Sequence, residues 1–141
     1  MKAKIPAYAL PALILTTIHL AEAQQPKKVY RIGYLQIAAR EQQLHFVKSF
    51  EEGLRDLGYS VGRNLLVEYR FANGKIEQLP ELAAELVRLN VDVIVTGVNP
   101  NTVAAKKATS TIPIVMAFGN EPVEAGLVAS LSHPGGNITG L

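Results

Sequence analysis

The sequence predicts an α/β fold, an open, doubly wound, mostly parallel sheet with helices on both faces. Three observations carry that expectation. Short β-rich runs alternate with longer helical ones from about residue 29 to residue 131, and such alternation implies parallel strands joined by right-handed crossovers. The run Asp92 to Thr96 (D-V-I-V-T) is continuously apolar after its first residue, as expected of a strand covered on both faces. Turn and cap residues punctuate the junctions, notably Gly58, Asn99-Pro100 and Pro134-Gly135-Gly136.

The elements follow in order. Val29 to Leu35 (V-Y-R-I-G-Y-L) is a first strand. Glu41 to Leu57 is an amphipathic helix, with Leu44, Val47, Phe50 or Glu51, Leu54 and Leu57 three or four apart and Lys48, Glu51, Glu52, Arg55 and Asp56 facing away. Gly58 ends it where a left-handed residue is wanted. Asn64 to Phe71 alternates apolar and polar residues, the pattern of a strand nearer the sheet edge. A second helix spans Glu77 to Leu89, with Pro80 in its first turn and Leu79, Leu82, Ala83, Leu86 and Leu89 as its buried stripe. After the strand at Asp92 to Thr96, Asn99-Pro100 opens a third helix to about Thr109, with Asn99 as the expected cap. Pro113 to Phe118 is a fourth strand, Glu121 to Leu131 a fourth helix, and Asn137 to Leu141 begins a fifth strand.

The first twenty-three residues are of another kind. Lys2 and Lys4 precede an apolar run from Ile5 to Ile18, followed by Ala21-Glu22-Ala23 and the polar Gln24-Gln25-Pro26. Charge, short apolar core and small-x-small residues in that order describe a secretory signal peptide cleaved after Ala23. Its apolar run is shorter than the roughly 20 residues a membrane span needs. His19 is therefore set aside from any site. Residues 24–136 form one domain, large enough for a real core. The formal net charge of +2 is small, and the lysine runs Lys27-Lys28 and Lys106-Lys107 are no more than doublets, best read as solvated surface. Nothing there suggests a nucleic-acid partner. The absence of cysteine removes disulfides, thiolate catalysis and cysteine zinc sites. It also removes the cysteine through which a lipoprotein is anchored, so the expected product is a periplasmic protein with no membrane insertion after the leader is removed.

In a doubly wound sheet, ligands lie outside the carboxyl ends of the strands, at the switch point in strand order. That singles out four loops: Gln36 to Arg40, Ala72 to Lys75, Gly97 to Thr102, and Gly119 to Glu124. None has the glycine pattern of a phosphate cradle. Asp92 stands at the wrong end of its strand for a phosphoacceptor. His45 and His133 are far apart, in different kinds of element, and no histidine pair has metal-ligand spacing. The expectation is no enzyme, no metal and no cofactor. Asn137-Ile138-Thr139 matches a glycosylation sequon and is read as strand and turn sequence.

A small polar ligand suits the same loops. Asn99 to Thr102 offers a helix N-terminus, an amide side chain and a hydroxyl, and helix N-termini attract carboxylates. Capping and ligand contact are both open to Asn99. Asn120, in Gly119-Asn120-Glu121-Pro122, is a similar, weaker candidate. From the first loop come Gln36 and Arg40. Arg40 suits a carboxylate, although solvated arginines are the commoner case. The candidate set is Gln36, Arg40, Asn99, Thr102 and Asn120.

Several segments then follow one another in a specific series: R-I-G-Y-L (31–35), G-L-R-D-L-G-Y with G-R-N (53–64), E-Y-R-F-A-N-G (68–74), L-P-E-L-A-A-E-L-V-R-L-N-V-D-V-I-V-T-G (79–97), A-T-S-T-I-P-I-V (108–115) and G-L-V-A-S-L-S-H-P-G-G-N-I-T-G-L (126–141). Together they closely resemble the ABC-transporter substrate-binding protein family, whose members include tryptophan- and tyrosine-binding proteins. The resemblance implies a type I periplasmic-binding fold of two flavodoxin-like lobes with a hinge and a ligand cleft, and a membrane permease as partner. It implies that this chain is the N-terminal lobe, with residues 137–141 beginning the crossover to a second lobe. The chain departs from the family in having about half its length and in carrying Gly97-Val98-Asn99-Pro100-Asn101-Thr102 where a small Gly-Thr-Pro-type loop is common, so the expected ligand is a small polar molecule, an amino acid or similar carboxylate, that can differ from the aromatic amino acids. Two other functions fit the same fold, a sensory ligand-binding module and, further off, a small exported flavodoxin-like enzyme.

Overall fold

The computed structural model describes residues 27–140; the expected leader and its cleavage point after Ala23 lie outside them. β1 (Tyr30–Gln36) leads to α1 (Arg40–Asp56), β2 (Leu65–Phe71), a 3₁₀ turn (Ile76–Gln78), α2 (Leu79–Arg88), β3 (Val93–Thr96), α3 (Asn99–Ala108), β4 (Ile114–Met116) and β5 (Ile138–Gly140). The strands form one sheet in the order β2-β1-β3-β4-β5, every pair parallel. β2 is an edge strand, as its alternating pattern suggested. The chain leaves β1 for β2 on one side, then passes back over β1 to β3 on the other. Strand order therefore reverses between β1 and β3, which makes their carboxyl ends the switch point. Leu35 pairs with Thr96, so Gln36 and Gly97 emerge from the sheet side by side.

The two faces of the sheet are filled differently. α2 and α3 bury Leu35, Ile94, Ile114, Met116 and Ile138 against Leu79, Ala83, Leu86, Ala104 and Ala105. Leu86 packs so closely on β1 that a Cβ on Gly33 would meet its side chain at 3.0 Å. On the opposite face, α1 lays Val47, Phe50 and Leu54 over Ile32, Tyr34, Leu65 and Val95. Among the described residues a single helix covers this face, and none of its residues is fully buried. α1 ends as expected. Gly58 takes φ +90, its N–H bonds to Arg55 O, and the Tyr59 N–H reaches back to Leu54 O, the reciprocal pair of a Schellman motif.

The fourth helix expected at Glu121 to Leu131 does not form. Glu121 and Gly126 adopt φ of +49 and +67, and left-handed residues interrupt helical propagation. What remains is a turn closed by Ala125 N–H to Glu121 O and Leu127 N–H to Pro122 O. The turn still delivers Leu127 and Val128 into the core, which accounts for the apolar spacing that suggested a helix. β4 also stops at Met116, short of the expected Phe118.

Polar residues read as structural are used that way. Asp92 accepts the Arg31 N–H at 2.8 Å at the amino edge of the sheet. Asn137 donates to Thr109 O and Ile112 O, which ties the sequon segment into the fold.

Candidate ligand site at the carboxyl edge of the sheet

Two buried polar pairs fasten the start of α3 to the sheet. The Thr96 and Thr102 hydroxyls lie 2.7 Å apart, both fully buried. Asn101 Nδ2 donates to Gln36 Oε1 at 2.9 Å, joining α3 to the end of β1 across the switch point. Gln36 rests against Gly97 so closely that a Cβ at residue 97 would stand 2.5 Å from Oε1. Residue 97 must therefore be glycine for Gln36 to lie where it does.

α3 begins without a side-chain cap. The N-cap residue is Val98, with φ −76 and ψ 165, so the expectation that Asn99 caps the helix is corrected. The valine side chain has no oxygen with which to accept an amide hydrogen bond. Asn99 is the first helical residue, and its Nδ2 donates instead to Asn120 O at 2.7 Å, which draws the loop after β4 against the start of α3. Pro100 has no N–H, and the Asn101 N–H makes only the Val98 O turn bond. The Thr102 N–H also turns to Val98 O, so the helix start keeps its partial positive charge and, among the described residues, the Asn99 N–H as the donor outside these bonds, the combination that attracts an anion. Beside it, the side-chain carbonyls Asn99 Oδ1 and Asn101 Oδ1 are buried with no partner among the described residues. Buried acceptors are normally satisfied, so two orphans at one helix start call for a donor from a ligand or a water.

Of the expected site residues, Gln36, Asn99, Asn101's neighbour Thr102 and Asn120 come together at this point. Their roles differ from those expected. The Thr102 hydroxyl is turned inward onto Thr96 and is not at the surface, which corrects the idea that it faces a ligand; a β-branched hydroxyl at that depth must find a partner inside. Gln36 is likewise buried and works through Asn101. Asn120 contributes its backbone carbonyl. Arg40 stands apart, on the β2 side, with its guanidinium over the rings of Tyr69 and Phe71 at 5.6 and 5.9 Å from their centroids.

Sequence reasoning named neither Thr96 nor Asn101 as a site residue, because their partners are set by tertiary placement. It also missed Phe46 and Phe118. Their rings meet edge-to-face at 5.9 Å, between α1 and the loop after β4, and both are exposed. A cavity of about 180 Å³ opens there, lined by Val98, Asn99, Pro100, Phe118 and Asn120. A larger groove of about 350 Å³ lies between α2 and α3, lined by Ile76, Leu79, Pro80, Val103 and Lys107 among others, and shares Asn99 and Pro100 with the smaller cavity at its α3 end; it is lined mainly by apolar side chains.

Residues 31–141 match the model of a family described as ABC transporter substrate binding protein. A tyrosine-binding protein of Clostridioides difficile (strain R20291) is 36% identical over 114 residues, which cover 81% of this chain and 33% of that protein. Among solved structures, a conserved domain protein from Vibrio cholerae superposes with a TM-score of 0.75 at 34% identity, over 80% of this chain and 38% of that one. An ABC domain from Streptococcus pneumonia in complex with L-Trp gives 0.74 at 27% identity, over 81% and 38%. The chain thus spans little more than a third of the length of the proteins it matches.

Proposed function

Because this chain belongs to the ABC transporter substrate binding protein family, we propose that its carboxyl-edge crevice holds one side of an amino-acid ligand for delivery to a membrane permease. The observation that carries this reading is the start of α3: an uncapped helix N-terminus at the switch point, flanked by two buried amide carbonyls without partners among the described residues. An amino acid carries both complements. Its carboxylate suits the Asn99 N–H and the helix dipole; its ammonium suits the Asn99 side-chain carbonyl. The similarity to a tyrosine-binding protein and to a domain bound to L-Trp supports an aromatic amino acid as the ligand.

Asn99 is the contact residue in this scheme. Gln36, Asn101, Thr96 and Thr102 position the helix start that the ligand meets, and Asn120 braces Asn99. Arg40 lies outside the first contacts. Residues 1–23 are an export leader and the residues from 24 onward form the N-terminal lobe of a periplasmic binding protein, whose sheet and core include β5, the strand that leads into the crossover. A second lobe supplies the facing wall, and ligand binding closes the two about a hinge. The reaction is binding and release, with no covalent chemistry.

Amide NMR on the isotopically labelled protein tests the reading. Millimolar L-tryptophan or L-phenylalanine should shift the amides of Gly97 to Thr102. Asn99→Ala should weaken that response roughly ten- to a hundredfold, as expected for losing one hydrogen bond to a charged group. A parent protein whose Gly97 to Thr102 amides stay unmoved by any amino acid rules the site out.

A further inference from the structure

We propose that Phe118, braced by Phe46, is the specificity-determining residue of this site, receiving the planar side chain of the ligand and so selecting ring-bearing amino acids over aliphatic ones. The inference rests on the amino-acid reading of the α3 start. Phe46 and Phe118 come from distant parts of the chain, one from the first turns of α1 and the other from just beyond β4. The fold nevertheless brings their rings together edge-to-face, 5.9 Å apart with 70° between planes. Even in contact they remain 47% and 59% exposed. The sheet does not need either residue. Neither belongs to the buried clusters on its two faces, and α1 packs through Val47, Phe50 and Leu54 instead.

Exposed apolar side chains are unremarkable when scattered, but a contiguous group with a polar rim marks a binding surface. Here Val98, 45% exposed, and Pro100 extend the apolar wall, while Asn99 and Asn120 border it. The cavity they enclose, about 180 Å³, is large enough for one aromatic ring: an engineered apolar cavity of about 150 Å³ binds benzene. Asn99 belongs both to this cavity and to the uncapped helix start, so a ligand held there by its charged end has its side chain directed within reach of Phe118. Aromatic rings prefer offset-stacked or edge-to-face neighbours at 4.5–7 Å and gain from them beyond area burial alone. The existing T-shaped pair occupies one edge and one face and leaves surface for a third ring.

The test compares the parent protein with Phe118→Ala, Phe118→Leu and Phe46→Ala, each titrated with L-tryptophan, L-phenylalanine, L-leucine and L-alanine and followed by amide NMR at Gly97 to Asn101. Both phenylalanines are exposed, so the variants should retain the parent's circular dichroism and melting behaviour. Phe118→Ala should weaken the ring-bearing ligands roughly threefold to tenfold and leave leucine and alanine unchanged. Phe118→Leu, which keeps apolar area without the ring, should lose the preference too, and Phe46→Ala should lose part of it. If Phe118→Ala shifts all four affinities alike, or none of them, while the Gly97 to Asn101 amides still respond, Phe118 is not the selector and the amino-acid site stands without it. If none of the four moves those amides in the parent, the site reading fails and this inference with it.

Discussion

Gln36 occupies the space that a side chain at residue 97 would need: a Cβ on Gly97 would lie 2.5 Å from its Oε1. One buried amide and one missing side chain therefore set the junction between β1, β3 and α3. Gln36 can hold Asn101 only while residue 97 stays bare. Gly97→Ala should push the Gln36 amide away and break its bond to Asn101 Nδ2. Asn101 is fully buried, so its amide would lose its one partner. The expected cost is about 1–3 kcal/mol, read as a lower urea midpoint with an unchanged m-value. An equal midpoint would show that Gln36 finds another place without loss.

The Thr96–Thr102 pair should behave as a unit. Each hydroxyl is buried and satisfied by the other. Thr102→Val alone strands the Thr96 hydroxyl, and Thr96→Val alone strands Thr102; each should cost about 1–3 kcal/mol. The double valine variant removes both polar groups and keeps the shape, so it should be nearer the parent than the sum of the singles predicts. Additive losses would mean that the two hydroxyls do not depend on each other.

The order of elements was legible because periodicity is local. Strand-like runs at 29–35, 64–71 and 92–96 and helical stripes at 41–57 and 77–89 needed no tertiary information, and the alternating pattern of 64–71 marked it as an edge. The positional rule for doubly wound sheets also picked out the loop from Gly97. The pairings inside the site were not legible. Asn101 and Gln36 are 65 residues apart, and no local pattern joins them. Asn99 looked like a cap because its type suits one, but the contact with Asn120 O competed successfully for its side chain. Glu121 to Leu131 has helical spacing, but the segment takes left-handed φ at Glu121 and Gly126, so two core residues came without a helix. Phe46 stands outside the apolar stripe of α1, which is the one sign of it that the sequence carries.

Two phenols on the α1 face give the fold an alkaline limit. Burial raises the Tyr34 pKa above its ordinary value of 10.0, with a smaller opposing effect from its hydrogen bond to Gln36. Burial also raises that of Tyr69, helped by the hydrogen bond and negative charge of Glu51. A folded-state pKa above the unfolded one means that the unfolded chain loses its protons first as pH rises. Stability from these groups is complete below pH 10 and declines above it. Thermal melts should fall more steeply with pH above 10 in the parent than in Tyr69→Phe. Parallel curves would mean that Tyr69 ionises alike in both states.

The uncapped start of α3 yields the sharpest test, because it sets stability against binding. Val98 holds the N-cap position with extended backbone angles, φ −76 and ψ 165, that suit a capping aspartate, and it is exposed, so a replacement meets no steric objection. In Val98→Asp, the new carboxylate can accept the Asn101 N–H and sit favourably on the helix dipole. The helix should gain about 0.5–2 kcal/mol on that account. The same carboxylate takes the place proposed for the ligand's carboxylate and repels it, so affinity should fall at least roughly tenfold. Val98→Ser separates the two contributions, since it caps without charge and should lose less affinity. Such opposed changes are the pattern expected where a binding site forgoes a stabilising residue. Melting and amino-acid titration on the same samples decide it. A Val98→Asp protein that is more stable and binds as tightly as the parent would show that the start of α3 does not hold the carboxylate.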